Sequence, residues 1–122
     1  MVDDDPYSNL ICNHIIRQVA GDVELLEFTN PKVGLEYIET AYNPEQEIPT
    51  VLLLDINMPV MTCWDFLERY DKTPAEIKKQ INIYLLSSSI DNRDKERAAA
   101  NKYVKDFFVK PFRYDMANIF FA

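Results

Sequence analysis

The 122-residue chain is poor in several things. It has two glycines, Gly21 and Gly34, which excludes P-loops, GxGxxG dinucleotide sites and other glycine-built phosphate cradles. It has two cysteines, Cys12 and Cys63, too far apart for a CxxC pair and without a Cys/His cluster. No apolar run is long enough to span a bilayer, and no signal peptide opens the chain. Reduced, cytoplasmic and away from membranes is therefore the expectation. Positive charge is scarce too. The net charge is −7, and no basic stripe stands out, so direct binding to nucleic acid is not expected.

What is present suits one compact domain over residues 1–122, with 48% hydrophobic residues. Residues 1–61 carry 11 acidic and 2 basic side chains, whereas residues 62–122 carry 9 and 11. That early acidity raises the prospect of a cation site.

Helical and strand-like segments alternate, which predicts an α/β domain with a parallel sheet. Asp5-Pro6 opens a first helix with Tyr7, Leu10, Ile11, Ile15 and Val19 in helical phase, closed by Gly21. Glu24–Phe28 reads as a strand. Asn30-Pro31 opens a second helix, and Asn43–Thr50 reads as a loop. Val51–Leu54 ends at Asp55 and suits a strand buried on both faces. Trp64, Phe66, Leu67 and Tyr70 mark a third helix. Thr73-Pro74-Ala75-Glu76 matches a capping box for a short connecting helix. Ile81–Leu86 is a second buried strand, ending at Ser87-Ser88-Ser89. A weakly apolar helix follows Asp91, then a strand Asp106–Val109 ending at Lys110-Pro111, and a last helix Arg113–Phe121.

In open parallel sheets, ligands bind beyond the carboxyl ends of the strands. That edge collects Asp3, Asp4 and Asp5, Asp55, Ser87 and Lys110. Singly, each has an ordinary reading: helix cap, turn residue, loop filler, surface charge. Together they suit phosphoryl transfer to a carboxylate. Clustered carboxylates need a cation, and oxygen-only ligands favour Mg²⁺. An ammonium and a hydroxyl would stabilise the phosphoryl oxygens.

Five segments then carry a family resemblance: Val2-Asp3-Asp4-Asp5-Pro6, Leu53-Leu54-Asp55-Ile56-Asn57-Met58-Pro59, Leu86-Ser87-Ser88-Ser89, Phe107, and Lys110-Pro111-Phe112. The chain resembles the receiver domain of bacterial two-component response regulators. The resemblance implies a flavodoxin-like, doubly wound sheet of five parallel strands, order 2-1-3-4-5, with helices on both faces. It implies Asp55 as phosphoacceptor, and Mg²⁺ held by Asp4, Asp55 and the Asn57 backbone carbonyl, with Asp3 acting through water. Lys110 would contact the phosphoryl oxygens and Ser87 would swing to hydrogen-bond them. Phe107 would be the aromatic switch, and the Lys110-Pro111 bond would be cis. Asn57 and Ser89 would sit where the phosphorylated lifetime is tuned. The phosphodonor would be a sensor histidine kinase or a phosphotransfer protein. Output partners would dock on the helix after Asp91, the strand Asp106–Val109 and the last helix, near Tyr103, Phe107, Met116 and Phe120. Ordinary core packing is the competing reading of those four. The protein would be a monomer or a phosphorylation-dependent dimer.

Departures from the pattern set further expectations. Only Met1-Val2 precede the acidic pair, so the first strand is expected to be truncated, and the last helix ends abruptly. Cys63 stands where many members have Gly, as a small tolerated residue or a redox-sensitive thiol. His14 is expected as a packed or boundary residue of the first helix. Two other functions compete. A haloacid-dehalogenase-type hydrolase would need a second Asp where Asn57 stands, and a longer chain. A degenerate receiver would bind partners without phosphorylation.

Overall fold

The computed structural model describes residues 1–46 and 49–121, without the side chain of Phe121. Three parallel strands, β1 (Thr50–Asp55), β2 (Ile81–Ser87) and β3 (Val104–Val109), form a sheet in that order. Helices α1 (Pro6–Ala20), α2 (Pro31–Thr40), α3 (Cys63–Tyr70), α4 (Ala75–Lys78), α5 (Asn92–Ala100) and α6 (Tyr114–Phe121) surround it. In the expected loop, Pro44–Gln46 form a 3₁₀ turn, and Glu47 and Ile48 lie outside the described residues. Among the described residues no helix is long and apolar enough to cross a membrane.

The two faces of the sheet explain the continuous apolar runs. On one face Leu52, Leu54, Ile83 and Leu85 pack with Leu35, Phe66 and Leu67. On the other, Leu53 and Leu86 pack with Cys12, Ile16, Phe112 and Met116. Alternate side chains enter opposite cores, so every position is apolar.

The five-strand expectation is met only in reduced form. Two of the five positions are isolated parallel bridges, Val2 with Phe28 and Val2 with Leu54. The Val2 amide donates to the Leu53 carbonyl at 2.9 Å, and its carbonyl accepts from the Asp55 amide at 2.9 Å. On the other side the Phe28 amide donates to Met1 at 2.8 Å. Glu24–Phe28 is therefore not a strand: within it only Phe28 pairs, through a single bridge to Val2.

Other expectations are also corrected. The buried face of α1 is Asn9, Cys12, Ile15 and Ile16. Ile15 and Val19 face the core as expected, whereas Tyr7, Leu10 and Ile11 are 72%, 62% and 39% exposed, and Asn9 and Cys12 take the buried positions in the first half of the helix. His14 is exposed rather than packed, because it lies off that buried face. The short helix α4 forms, but not through a capping box. Its N-cap is Pro74, which has no side chain able to cap, and the buried Thr73 hydroxyl has no partner among the described residues. Elsewhere the caps are as read: Asp5 accepts from the Tyr7 amide, Asn30 from Lys32 and Asp91 from Arg93. Gly21, at φ 70°, ends α1 in a conformation that other residues avoid. The weak anchoring of α5 is evident, with Ala98 its one buried residue.

Gly34 lets α2 approach the short Val2 segment. A Cβ there would lie 2.9 Å from Val2 Cγ2 and 3.4 Å from Phe28. Both neighbours are stiff, so the contact cannot be relieved cheaply. Gly34→Ala should destabilise the protein by about 1–3 kcal/mol, the usual range for overpacking. A lower urea midpoint would show it, and an unchanged midpoint would refute the close approach.

Candidate functional site

The site forms where β1, β2 and β3 end beside the loop that leads into α1. Backbone pairing sets the stage. Asp55 ends β1 opposite Leu86, and the Lys110 amide donates to the Ser87 carbonyl at 2.7 Å. The Lys110-Pro111 bond is cis, as expected from the resemblance.

Three carboxylates converge there. Asp3, Asp4 and Asp55 each offer an oxygen, and these oxygens lie within 4.8 Å of one another. Asp3 and Asp55 are buried, at 4% and 5% exposure, whereas Asp4 faces solvent. Lys110 is the cation among them. Its Nζ lies 2.7 Å from Asp3 Oδ2 and 3.3 Å from Asp55 Oδ1. One ammonium does not balance three acids. Burial, and then the nearby Asp3 charge, push the Asp55 carboxyl up to about 7, against the pull of Lys110. Burial also works against the Lys110 ammonium. Its hydrogen bond to Asp3 and the charges of Asp55 and Asp3 outweigh that and hold its pKa above the ordinary value.

This donor set fits Mg²⁺. It is all oxygen and excess negative, with one side open to water through Asp4, as a hard cation that keeps part of its hydration requires. Among the described residues no softer ligand joins it: Cys12 and Cys63 are buried, and burial raises each thiol to about 12. The same protonation makes Cys63 a small packed residue rather than a reactive thiol.

The other expected residues sit as follows. Ser87 is fully buried; its hydroxyl donates to the Ser89 carbonyl at 2.9 Å and accepts from the Ser89 amide at 3.2 Å. Asn57 is exposed in the loop after β1. Phe107 lies opposite Leu85 and packs, half-buried, against the α2/α3-side core. Tyr103 packs against that core too, whereas Met116 is buried on the opposite face and Phe120 lies against Tyr84 at 4.4 Å. The core reading therefore holds for Met116, whereas Tyr103, Phe107 and Phe120 are half-buried at the edges of the two cores.

One supporting residue escaped the sequence reading. Asn9 is 2% exposed, and its amide donates to the Asp3 carbonyl at 3.0 Å. The Asp5 amide donates to Asp3 Oδ1 at 3.0 Å. Together they fix the acidic loop while Asp5 caps α1. A polar residue in phase with Cys12 and Ile16 was the available signal.

Metal-free stability should therefore depend on pH. Asp55 has a folded pKa near 7 against an ordinary 3.8, so the native state binds the extra proton between those values. Its contribution is favourable at low pH and is lost as pH rises through 4 to 7. Urea unfolding with a chelator should show this fall. In Asp55→Asn the slope should flatten; an equal slope would assign it elsewhere.

With this geometry in view, likeness to other proteins has a structural meaning. Residues 1–119 match the response regulator receiver domain family. A two component response regulator from Cytophaga hutchinsonii is 26% identical, with a TM-score of 0.86 over 98% of this chain and 90% of that one. A response regulator receiver protein from Dyadobacter fermentans shares the fold, with 22% identity and a TM-score of 0.85 over 97% and 90%. The cyclic di-GMP phosphodiesterase response regulator RpfG of Xanthomonas campestris pv. campestris is 28% identical over 113 residues. The chain spans 93% of itself in that match but only 28% of the relative's length. With the family match running through every element from Val2 to α6, the chain belongs to the response regulator receiver domain family.

Proposed function

We propose that the protein is a phosphorylation-dependent signalling switch that accepts a phosphoryl group on Asp55 from a histidine kinase or phosphotransfer protein. The observation that carries this reading is the convergence of Asp3, Asp4 and Asp55 around Lys110 at the carboxyl edge of the sheet. The order Phe28, Val2, β1, β2, β3 supports the doubly wound arrangement 2-1-3-4-5 around it.

The chemistry follows from the residues. An ionised Asp55 oxygen attacks phosphorus as the bond to the donor nitrogen breaks, and the imidazole leaves with the electron pair. Asp4, Asp55 and the Asn57 carbonyl are the proposed ligands of Mg²⁺, with Asp3 acting through water, and the ion when bound supplies positive charge against the phosphoryl oxygens. Lys110 shifts its hydrogen bonds from carboxylate to phosphoryl oxygen. Ser87 exchanges the Ser89 carbonyl for a phosphoryl oxygen, vacating space into which Phe107 turns. These are positions for binding and group transfer to the protein itself, not turnover of a separate substrate. Asn57 in place of a second strand-end acid argues against the hydrolase reading.

Incubation with Mg²⁺ and acetyl phosphate should give a labile phosphoryl adduct by intact-mass measurement, absent from Asp55→Asn. No adduct in the parent protein would sink the proposal. Steady release of phosphate from many monoesters would favour a hydrolase instead. Lys110→Ala should retain Mg²⁺ binding but lose the response of Phe107 to phosphorylation. A mutant that switches as well as the parent would remove Lys110 from that role.

A further inference from the structure

β3 does not pair regularly with β2. Ile83 lies opposite Val104, but the next residue, Tyr84, lies opposite Asp106. Lys105 is therefore an extra residue, a bulge in β3. Its effect is on the face that each later side chain takes. Val104 and Phe107 are three residues apart, and in a regular strand they would face opposite sides. Here both pack against the same core, while Phe108 packs against the other. Continued without the bulge, the register would bring Asp106 opposite Leu85 and Phe107 opposite Leu86. Asp106 would then turn its carboxylate toward the core that holds Leu85, which is 0% exposed, and Phe107 would leave that core.

The bulge has an anchor on its upstream side. The Tyr103 ring meets Tyr70 edge-on, with centroids 5.3 Å apart. Its hydroxyl donates to the Asp71 carboxylate and lies 3.2 Å from Lys78 Nζ. Lys78 in turn donates to the Asp71 carbonyl at 2.7 Å. The Tyr103 amide donates to the Asn101 side chain at 2.9 Å. Lys102 Nζ lies 5.0 Å from the Tyr103 ring and 3.6 Å from Asp71. Tyr103 is thus tied to the end of α3 and to α4. Beyond the bulge, the Phe107 amide donates to Asp106 Oδ1 at 2.7 Å. The slack residue, Lys105, lies between the Tyr103 anchor and the Tyr84–Asp106 pair, where the register resumes.

We propose that Tyr103 is a positioning residue: by holding the Lys105 bulge in place it fixes which face of the sheet Phe107 occupies, and so sets the resting state of the switch. The inference rests on the switching role proposed for Phe107, but the placement of Phe107 can be read without phosphorylation. Losing the Tyr103 hydroxyl frees the entry of β3 to slip, and a slip by one residue moves Phe107 to the other face.

The test places 4-fluorophenylalanine at position 107 of the full chain and records its fluorine spectrum without metal or donor. One dominant resonance is expected in the parent protein. Tyr103→Phe keeps the ring and removes the tie to Asp71. It should raise a second resonance by roughly two- to tenfold, the factor for losing one partly exposed hydrogen bond. Asp71→Asn should do the same in part, and deletion of Lys105 should make the second resonance dominant. Gly34→Ala overpacks Val2 and Phe28, at the opposite edge of the sheet from β3, and serves as a control for destabilisation. A spectrum unchanged in Tyr103→Phe and Tyr103→Ala would overturn the proposal. So would equal changes in Gly34→Ala at an equal loss of Tm. If Asp55 takes no phosphoryl group, the resting spectrum still reports on Tyr103, so the two failures are separable.

Discussion

Three carboxylates share a space that one ammonium serves. That imbalance is the constraint around which the rest of the structure is arranged. Burial and the neighbouring Asp3 charge already push the Asp55 carboxyl up, so something rigid must hold the three in place. The holding is done by backbone: Val2 is clamped between Phe28 and β1, Asp55 is locked opposite Leu86, and Lys110 is tied to Ser87 by its amide. Two packed cores keep those strand ends in register. The stored repulsion makes the site receptive to positive charge and to the chemistry that positive charge permits.

Much of this was legible in the sequence. Apolar runs that stop at Asp55, Ser87 and Lys110 put those residues at one edge, because a parallel sheet has all its strand ends on the same side. Helix caps were legible because Asp5, Asn30 and Asp91 act within two residues of themselves. The single bridge at Phe28 was not, since pairing depends on a partner distant in the sequence, here Val2. The first half of the buried face of α1 was not legible either, because Asn9 is buried with its hydrogen bond to Asp3 rather than for its hydropathy. The same blindness hid the bulge at Lys105, which depends on where Ile83 and Tyr84 fall in another strand.

The two faces of the sheet divide the labour. Phe107 belongs with α2 and α3, whereas Phe108, Phe112 and Phe120 belong with α1 and α6. On the proposed reading, an event at Asp55 would reach the first group through Ser87 and Phe107 without repacking the second. Weak anchoring of α5, through Ala98, leaves that helix free to follow.

The Ser87 hydroxyl closes a small ring with its own neighbour, giving one hydrogen bond to Ser89 and taking one back. It is satisfied before anything arrives. A neutral acceptor offers it nothing better, since such bonds are worth about 0.5–1.5 kcal/mol net either way. A charged acceptor, at about 1.5–3 kcal/mol, does. In the proposed switch the ring would act as a detent, releasing to an oxygen that carries charge. Water and passing neutral solutes would leave it shut, and the resting signal would be protected from noise.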